Sequence, residues 1–146
     1  MICVDASVVI KWLVPEERSD RAIALFDATT RDDQTIVAPH LLPLEVTNIL
    51  RQRMRVEGGI SLVRATEHLD AFLAFSIEYH NPEGLHGQAL ALAAAHGLPA
   101  TYDAHYLALA EHLGCDLWTD DQCLLRQVGT SLAFVRGLAD YPAAGR

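Results

Sequence analysis

Short apolar runs alternate along the chain with stretches in which apolar residues recur every three or four positions, a pattern that predicts strands alternating with helices. The run Ile2–Val4 ends at Asp5 and reads as a strand, and residues 7–13 then turn into a helix that stops near Pro15. Asp20 is placed to cap a second helix carrying Ala22, Ile23, Leu25 and Phe26, and residues 35–38 form a second strand before Pro39. From His40 to Met54, Leu41, Leu42, Ile49 and Leu50 recur at helical spacing. Pro43 falls in the first turn, where its missing N–H is not needed, and Gly58 and Gly59 end the helix.

The second half continues the alternation. Ser61 caps a helix whose stripe is Leu62, Ala65, Leu69, Phe72 and Leu73, and residues 76–79 make a third strand. Pro82 opens an alanine-rich helix with Leu85, Ala89, Leu92 and Ala93, stopped by Gly97 and Pro99. Asp103 starts another, with Tyr106, Leu109, Ala110 and Leu113 on one side and Gly114 at its end. Asp116–Thr119 reads as a strand, Asp121 opens a short helix, and residues 131–135 are the last strand candidate. The end of the chain, residues 137–146, has little to bury and is expected to be a loose tail. Strands alternating with helices imply an α/β fold, with a mostly parallel sheet covered on both faces.

Length and composition narrow the class. At 146 residues the chain has the size of a single domain, 1–146, without repeat, low-complexity segment or linker. Hydrophobic residues make up 51%, yet no apolar run approaches the roughly 20 residues needed to cross a bilayer, so no membrane partner is expected. The start, Met1 to Asp5, lacks the basic, apolar and small-residue regions of a secretory signal, which favours a cytoplasmic location. Cys3, Cys115 and Cys123 show no C-x-x-C spacing, and the seven histidines form no H-x-x-x-H pair. Cysteines therefore read as small hydrophobes and histidines as ordinary polar residues. A net charge of −8 argues against a broad basic surface for nucleic acid, unless several of the carboxylates share one metal-binding pocket.

Three aspartates stand where an extended or loop segment enters a helix: Asp5, Asp103 and Asp121. Ligands of open α/β sheets bind outside the carboxyl ends of the strands, so these side chains are candidates for one pocket. Helix capping is the competing explanation for each. It does not extend to Glu45, which lies mid-helix beside Leu41 and Ile49 with no Lys or Arg within a turn. A carboxylate there is partly buried and needs a cation, a distant arginine or an edge position open to water. Carboxylates without Cys or His neighbours suit Mg2+ or Mn2+, which activate water for attack on a phosphodiester and offset charge on the leaving oxygen.

The segments around these acids resemble a known family. Val4-Asp-Ala-Ser7, Leu42-Pro-Leu-Glu-Val-Thr-Asn48, Tyr102-Asp-Ala-His-Tyr-Leu-Ala-Leu-Ala110 and Trp118-Thr-Asp-Asp121 are similar, in order and spacing, to the acidic motifs of PIN domains, above all the VapC toxins. The similarity runs from about Ile2 to Leu125. It implies a three-layer α/β/α fold and a metal-dependent endoribonuclease acting as the toxin of a toxin–antitoxin pair. Asp5, Glu45, Asp103 and Asp121 match the catalytic and metal-binding acids, with Ser7 and Thr119 as supporting polar residues. Asp120 stands beside Asp121 and leaves two candidates for the fourth acid, of which register favours Asp121. The resemblance further implies a homodimer, a VapB-type antitoxin that inserts a segment into the active-site groove, and an RNA substrate such as tRNA, rRNA or mRNA.

Arg51, Arg53 and Arg55 form the densest basic stretch and are candidates for phosphate contacts, as are Lys11 and Arg18; a solvated helix face is the plainer reading. Trp12 is read as core rather than as a base-stacking platform. A phosphate-receiving aspartate domain would need a conjugate lysine, and Lys11, the single lysine, sits in the first helix. A haloacid-dehalogenase-type phosphatase would need an acid where Ser7 stands. The remaining rival is a PIN fold kept as a binding module for RNA or an antitoxin-like partner, without cleavage.

Overall fold

Ile2, Cys3 and Val4 are all buried, the behaviour of a strand covered on both faces, and they form β1 (Ile2–Val4) at the centre of the sheet. In chain order there follow α1 (Ala6–Leu13), α2 (Ser19–Arg31), β2 (Ile36–Pro39), α3 (Leu42–Arg55), α4 (Leu62–Leu73), β3 (Ile77–His80) and α5 (Leu85–Ala95). Then come α6 (Tyr102–Leu113), β4 (Asp116–Thr119), α7 (Gln122–Val128), β5 (Val135–Gly137) and a 3-10 turn over Leu138–Asp140. This computed structural model describes residues 1–143. The five strands are parallel in the order β3-β2-β1-β4-β5, and the flanking helices give the three-layer α/β/α fold.

The strand order places the site. The chain leaves β1 toward β2 on one side and later returns to β4 on the other, so the β1–β4 boundary is where the order reverses, the usual crevice of an open α/β sheet. Val4 is paired with Trp118, so Asp5 and Thr119 leave the sheet side by side at its carboxyl edge. Helix α6 packs against β1, β2 and β4 on one side and α5 on another. Its residues Ala104, Tyr106, Leu107, Ala108, Leu109 and Ala110 are therefore all buried, where the spacing predicts a single apolar side. Trp12 packs tilted against Phe26 and edge-on to Phe75, at 4.9 and 5.6 Å between ring centroids, which makes it a core residue.

Several boundaries differ from the sequence expectations, each for a local reason. Asp20 does not cap α2; the cap position is Arg18, in left-handed backbone at φ 64°, and Asp20 lies in the first turn. Pro82 precedes α5 in a turn closed by Gly84 at φ 81°, a conformation that suits a residue without a Cβ. The last strand is Val135–Gly137 rather than 131–135, because the pairing that extends the sheet aligns Leu117 with Val135 and Thr119 with Gly137.

The expected loose tail is also corrected for the part described. Leu138 is fully buried, Arg21 donates to the carbonyls of Ala139 and Tyr141, and the Tyr141 ring stands edge-on to Trp118 at 5.3 Å. Residues 144–146 of that segment lie outside the described residues. No helix among the described residues is long and apolar enough to cross a membrane.

Candidate active site

Asp5 ends β1 and caps α1. Its Oδ1 accepts from the backbone N–H groups of Ser7 (3.0 Å) and Val8 (3.3 Å) and from the Ser7 hydroxyl (2.5 Å), while Oδ2 accepts from the Thr119 hydroxyl. Four donors on one buried carboxylate favour its charged form, yet burial outweighs them and pushes its pKa up to about 7, with Asp103 adding to the rise. The supporting positions are thus physically engaged. Thr119 Oγ1 also accepts from the Asp121 N–H at 3.1 Å, and Ser7 Oγ accepts from the Asp120 N–H at 2.7 Å. These bonds tie the turn after β4 to the turn after β1.

A cleft of about 150 Å³ is lined by Asp5, Ala6, Ser7, Glu45, Ile49, Asp103 and Asp121. The four candidate acids therefore face one space, carried there by β1, α3, α6 and the start of α7. Each reaches it differently. Asp121 caps α7 through Oδ1, which accepts from the Leu124 N–H at 3.0 Å. Asp103 sits in the first turn of α6 without a capping hydrogen bond, so capping accounts for Asp5 and Asp121 and fails for Asp103. Burial raises the Asp103 pKa, and the neighbouring Asp121 raises it further.

Glu45 finds a partner that the sequence reading missed. The Tyr106 hydroxyl, one turn beyond Asp103 on α6, donates to Glu45 Oε1 at 2.6 Å. Burial raises the Glu45 pKa, Tyr106 opposes that rise, and Asp103 and Asp121 add to it. The signal was available: a tyrosine on the buried side of a helix must find a partner for its hydroxyl. The other half of the signal was a glutamate among apolar residues without a local cation; α3 starts at Leu42, so Glu45 falls in its first turn rather than mid-helix.

Asp120 and Asp121 separate cleanly. The Asp120 carboxylate turns away from the cleft and accepts from Arg18 Nε (2.8 Å) and Nη2 (3.0 Å), with Lys11 Nζ at 3.3 Å. Lys11 also pairs with Glu16 at 2.9 Å, and Glu16 in turn pairs with Arg53 on α3 at 2.7 Å. Of the candidate phosphate contacts, Lys11 is thus buried and paired, and Arg18 is paired with Asp120 while part of its side chain stays exposed. Arg53 is likewise held by Glu16. Arg51 and Arg55 remain exposed and make no ion pair among the described residues.

The donor set suits a hard divalent cation, being four carboxylates with no Lys, Arg, His or Cys lining the cleft. Among the described residues, no three His, Cys, Asp or Glu side chains stand close enough together to hold an ion as they are. The acids must therefore draw closer, as well as lose protons, to bind an ion; hydroxyls hold both oxygens of Asp5 and one of Glu45, and Oδ2 of Asp5 and Oε1 of Glu45 each keep a free lone pair.

Comparison with known proteins adds an independent line. The family model for the PIN domain matches residues 2–129. Ribonuclease VapC3 of Pyrobaculum aerophilum is 34% identical over 125 residues, spanning 84% of this chain and 91% of that protein. Among solved structures, PAE2754 from Pyrobaculum aerophilum superposes with a TM-score of 0.67 at 24% identity, covering 94% of this chain and 89% of that one. FitAB bound to an IR36 DNA fragment gives 0.62 at 18% identity, covering 99% and 100%. FitAcB from Neisseria gonorrhoeae gives 0.59 at 18% identity, covering 96% and 99%. At these identities the solved structures speak to the fold alone.

Proposed function

The chain belongs to the PIN-domain family, in its VapC branch, and from that membership we propose that it is a metal-dependent endoribonuclease, the toxin of a toxin–antitoxin pair. The observation that carries the reading is the convergence of Asp5, Glu45, Asp103 and Asp121 on one cleft at the carboxyl edge of the sheet. The raised pKa values of Asp5, Glu45 and Asp103 come first from burial and then from the neighbouring acids, as for carboxylates gathered where no positive charge lies among them.

Mg2+ or Mn2+ is the cofactor that this donor set fits; when bound, it activates water and offsets the charge that develops on the phosphodiester oxygens. The protein's own part is placement. Ser7 and Thr119 fix both oxygens of Asp5, Tyr106 fixes Glu45, and the α7 cap fixes Asp121, leaving Asp103 with the fewest restraints. Arg51 and Arg55, on the same helix as Glu45, are the cations available to RNA phosphates. A VapB-type antitoxin as partner and a homodimeric state are proposed on the strength of the family; Leu44, Leu90 and Tyr102 are exposed apolar side chains available to such contacts.

The test is cleavage of a mixed RNA pool by purified protein with Mg2+, Mn2+ or EDTA, beside Asp103→Asn. Cleavage that requires metal and disappears in a folded Asp103→Asn supports the reading. Equal behaviour of the two proteins, with no metal binding to either, overturns it in favour of a binding module.

A further inference from the structure

Asp120 is among the most buried charged side chains of the protein, with 4% of its side chain exposed, and it is one Cα–Cα step, about 3.8 Å, from Asp121. It nonetheless stays out of the carboxylate cleft. Its two oxygens face the guanidinium of Arg18 and the ammonium of Lys11, while its backbone N–H is held by the Ser7 hydroxyl that also donates to Asp5. The Arg18 backbone adopts a left-handed φ of 64° at this point, an unfavourable conformation for a side chain with a Cβ.

Stability alone does not account for this arrangement. Removing paired charges from water offsets most of their attraction, so a buried ion pair adds little to stability compared with apolar packing. Lys11 has its own reason to be here, since it stands in the last turn of α1, where a cation suits the helix dipole. The consequence is two positive charges held on the residue next to Asp121, which lines a cleft that, on the reading above, must attract a divalent cation. Asp120 is the shared counter-ion of both.

We propose that Asp120 is a positioning residue that acts through Lys11 and Arg18: it neutralises both cations and keeps them off the four acids, so that Asp121 and its neighbours remain open to metal. The proposal rests on the metal-dependent reading of the cleft. Glu16 extends the same arrangement to α3, because it bridges Lys11 and Arg53 on the helix that carries Glu45. The negative charge at position 120 thus serves the site without ligating anything in it.

The test is direct Mn2+ binding, by electron paramagnetic resonance or calorimetry, with thermal denaturation of the same samples, in four proteins: wild type, Asp120→Asn, Lys11→Met and the double variant. Asp120→Asn leaves Lys11 to Glu16 and Arg18 to Glu17 alone, so positive charge next to Asp121 is only partly offset, and it weakens Mn2+ binding about tenfold, more at low salt than at high. Lys11→Met in that background removes one of the two cations and restores most of the affinity, although both changes lower thermal stability. Lower stability with unchanged Mn2+ affinity in all variants overturns the proposal, because a purely structural role predicts that. Loss of binding in Asp120→Asn by a hundredfold or more, without rescue by Lys11→Met, also overturns it and makes Asp120 a ligand. Wild-type protein that binds no Mn2+ removes the metal reading itself, whereas wild-type binding with no shift in the variants removes only this proposal.

Discussion

The hydroxyl of Tyr106 on α6 donates to Oε1 of Glu45 on α3 at 2.6 Å, joining the two helices and fixing from the core a half-buried carboxylate that lines the cleft. Tyr106→Phe keeps the ring in its packing and deletes only the donor. The expected loss of stability is about 1–3 kcal/mol, the usual effect of leaving a buried acceptor without its partner. The bond favours the ionised form of Glu45, so its removal lifts the Glu45 pKa further. The acid limb of the pH–rate profile for RNA cleavage should move to higher pH. An unchanged profile would mean that Tyr106 only packs.

Asp5 and Asp103 separate capping from chemistry. Asp5 caps α1 and receives two buried hydroxyls, so Asp5→Ala loses the cap and strands Ser7 and Thr119, for about 2–4 kcal/mol of stability in total. Asp103 makes no capping bond, and burial and then Asp121 raise its pKa, so Asp103→Asn relieves a burial cost and repulsion and leaves stability within roughly 0.5 kcal/mol. Cleavage should nevertheless fall about a hundredfold or more in Asp103→Asn, the scale on which removal of one electrostatic group affects an active site. Urea denaturation beside the cleavage assay checks both halves. A marked loss of stability in Asp103→Asn would return this residue to a structural role.

The parts of this arrangement legible in the sequence are those set by local pattern. The run Ile2–Val4 followed by Asp5 fixes a strand and the residue at its end, and Ser61 before an apolar stripe fixes a helix start that the structure keeps. What escaped depends on groups distant along the chain. Nothing near Asp120 indicates that Arg18 and Lys11, more than 100 positions earlier, take its carboxylate and so distinguish it from Asp121. Leu138 is buried only because the 3-10 turn after β5 folds against α2, a contact without periodicity to announce it. Tyr106 read as one more apolar position because α6 is buried nearly all round, which erases the polar face by which its hydroxyl would have stood out.

The raised pKa of Asp5 sets the sign of the pH dependence. An aspartate held up to about 7 in the folded protein, against about 3.9 in the unfolded chain, favours folding fully below pH 4 and loses that contribution as pH rises through 7. The metal-free protein should therefore melt at a higher temperature at pH 5.5 than at pH 8. Metal reverses the trend, because a cation competes with the proton: below pH 7 apparent Mn2+ affinity should fall by up to about tenfold per pH unit for each proton displaced. Calorimetric scans with EDTA and with Mn2+ at both pH values provide the comparison. Parallel pH trends in the two sets would show that Asp5 is not among the groups the metal meets.

Leu138 tests whether the end of the chain belongs to the fold. Its side chain is fully buried directly after β5, and Arg21 on α2 donates to the carbonyls of Ala139 within the turn and Tyr141 just after it. Truncating a buried leucine removes its transfer free energy and leaves a cavity, so Leu138→Ala should cost about 2–5 kcal/mol. The effect reaches the site through the sheet. Gly137, the preceding residue, pairs with Thr119, whose hydroxyl holds Asp5 and accepts from the Asp121 N–H. Leu138→Ala should thus lower the urea midpoint and also weaken Mn2+ binding in the folded protein, the second effect smaller than that of Asp103→Asn. A change in stability below about 0.5 kcal/mol, the range of an exposed position, would show that this segment is loose in solution after all.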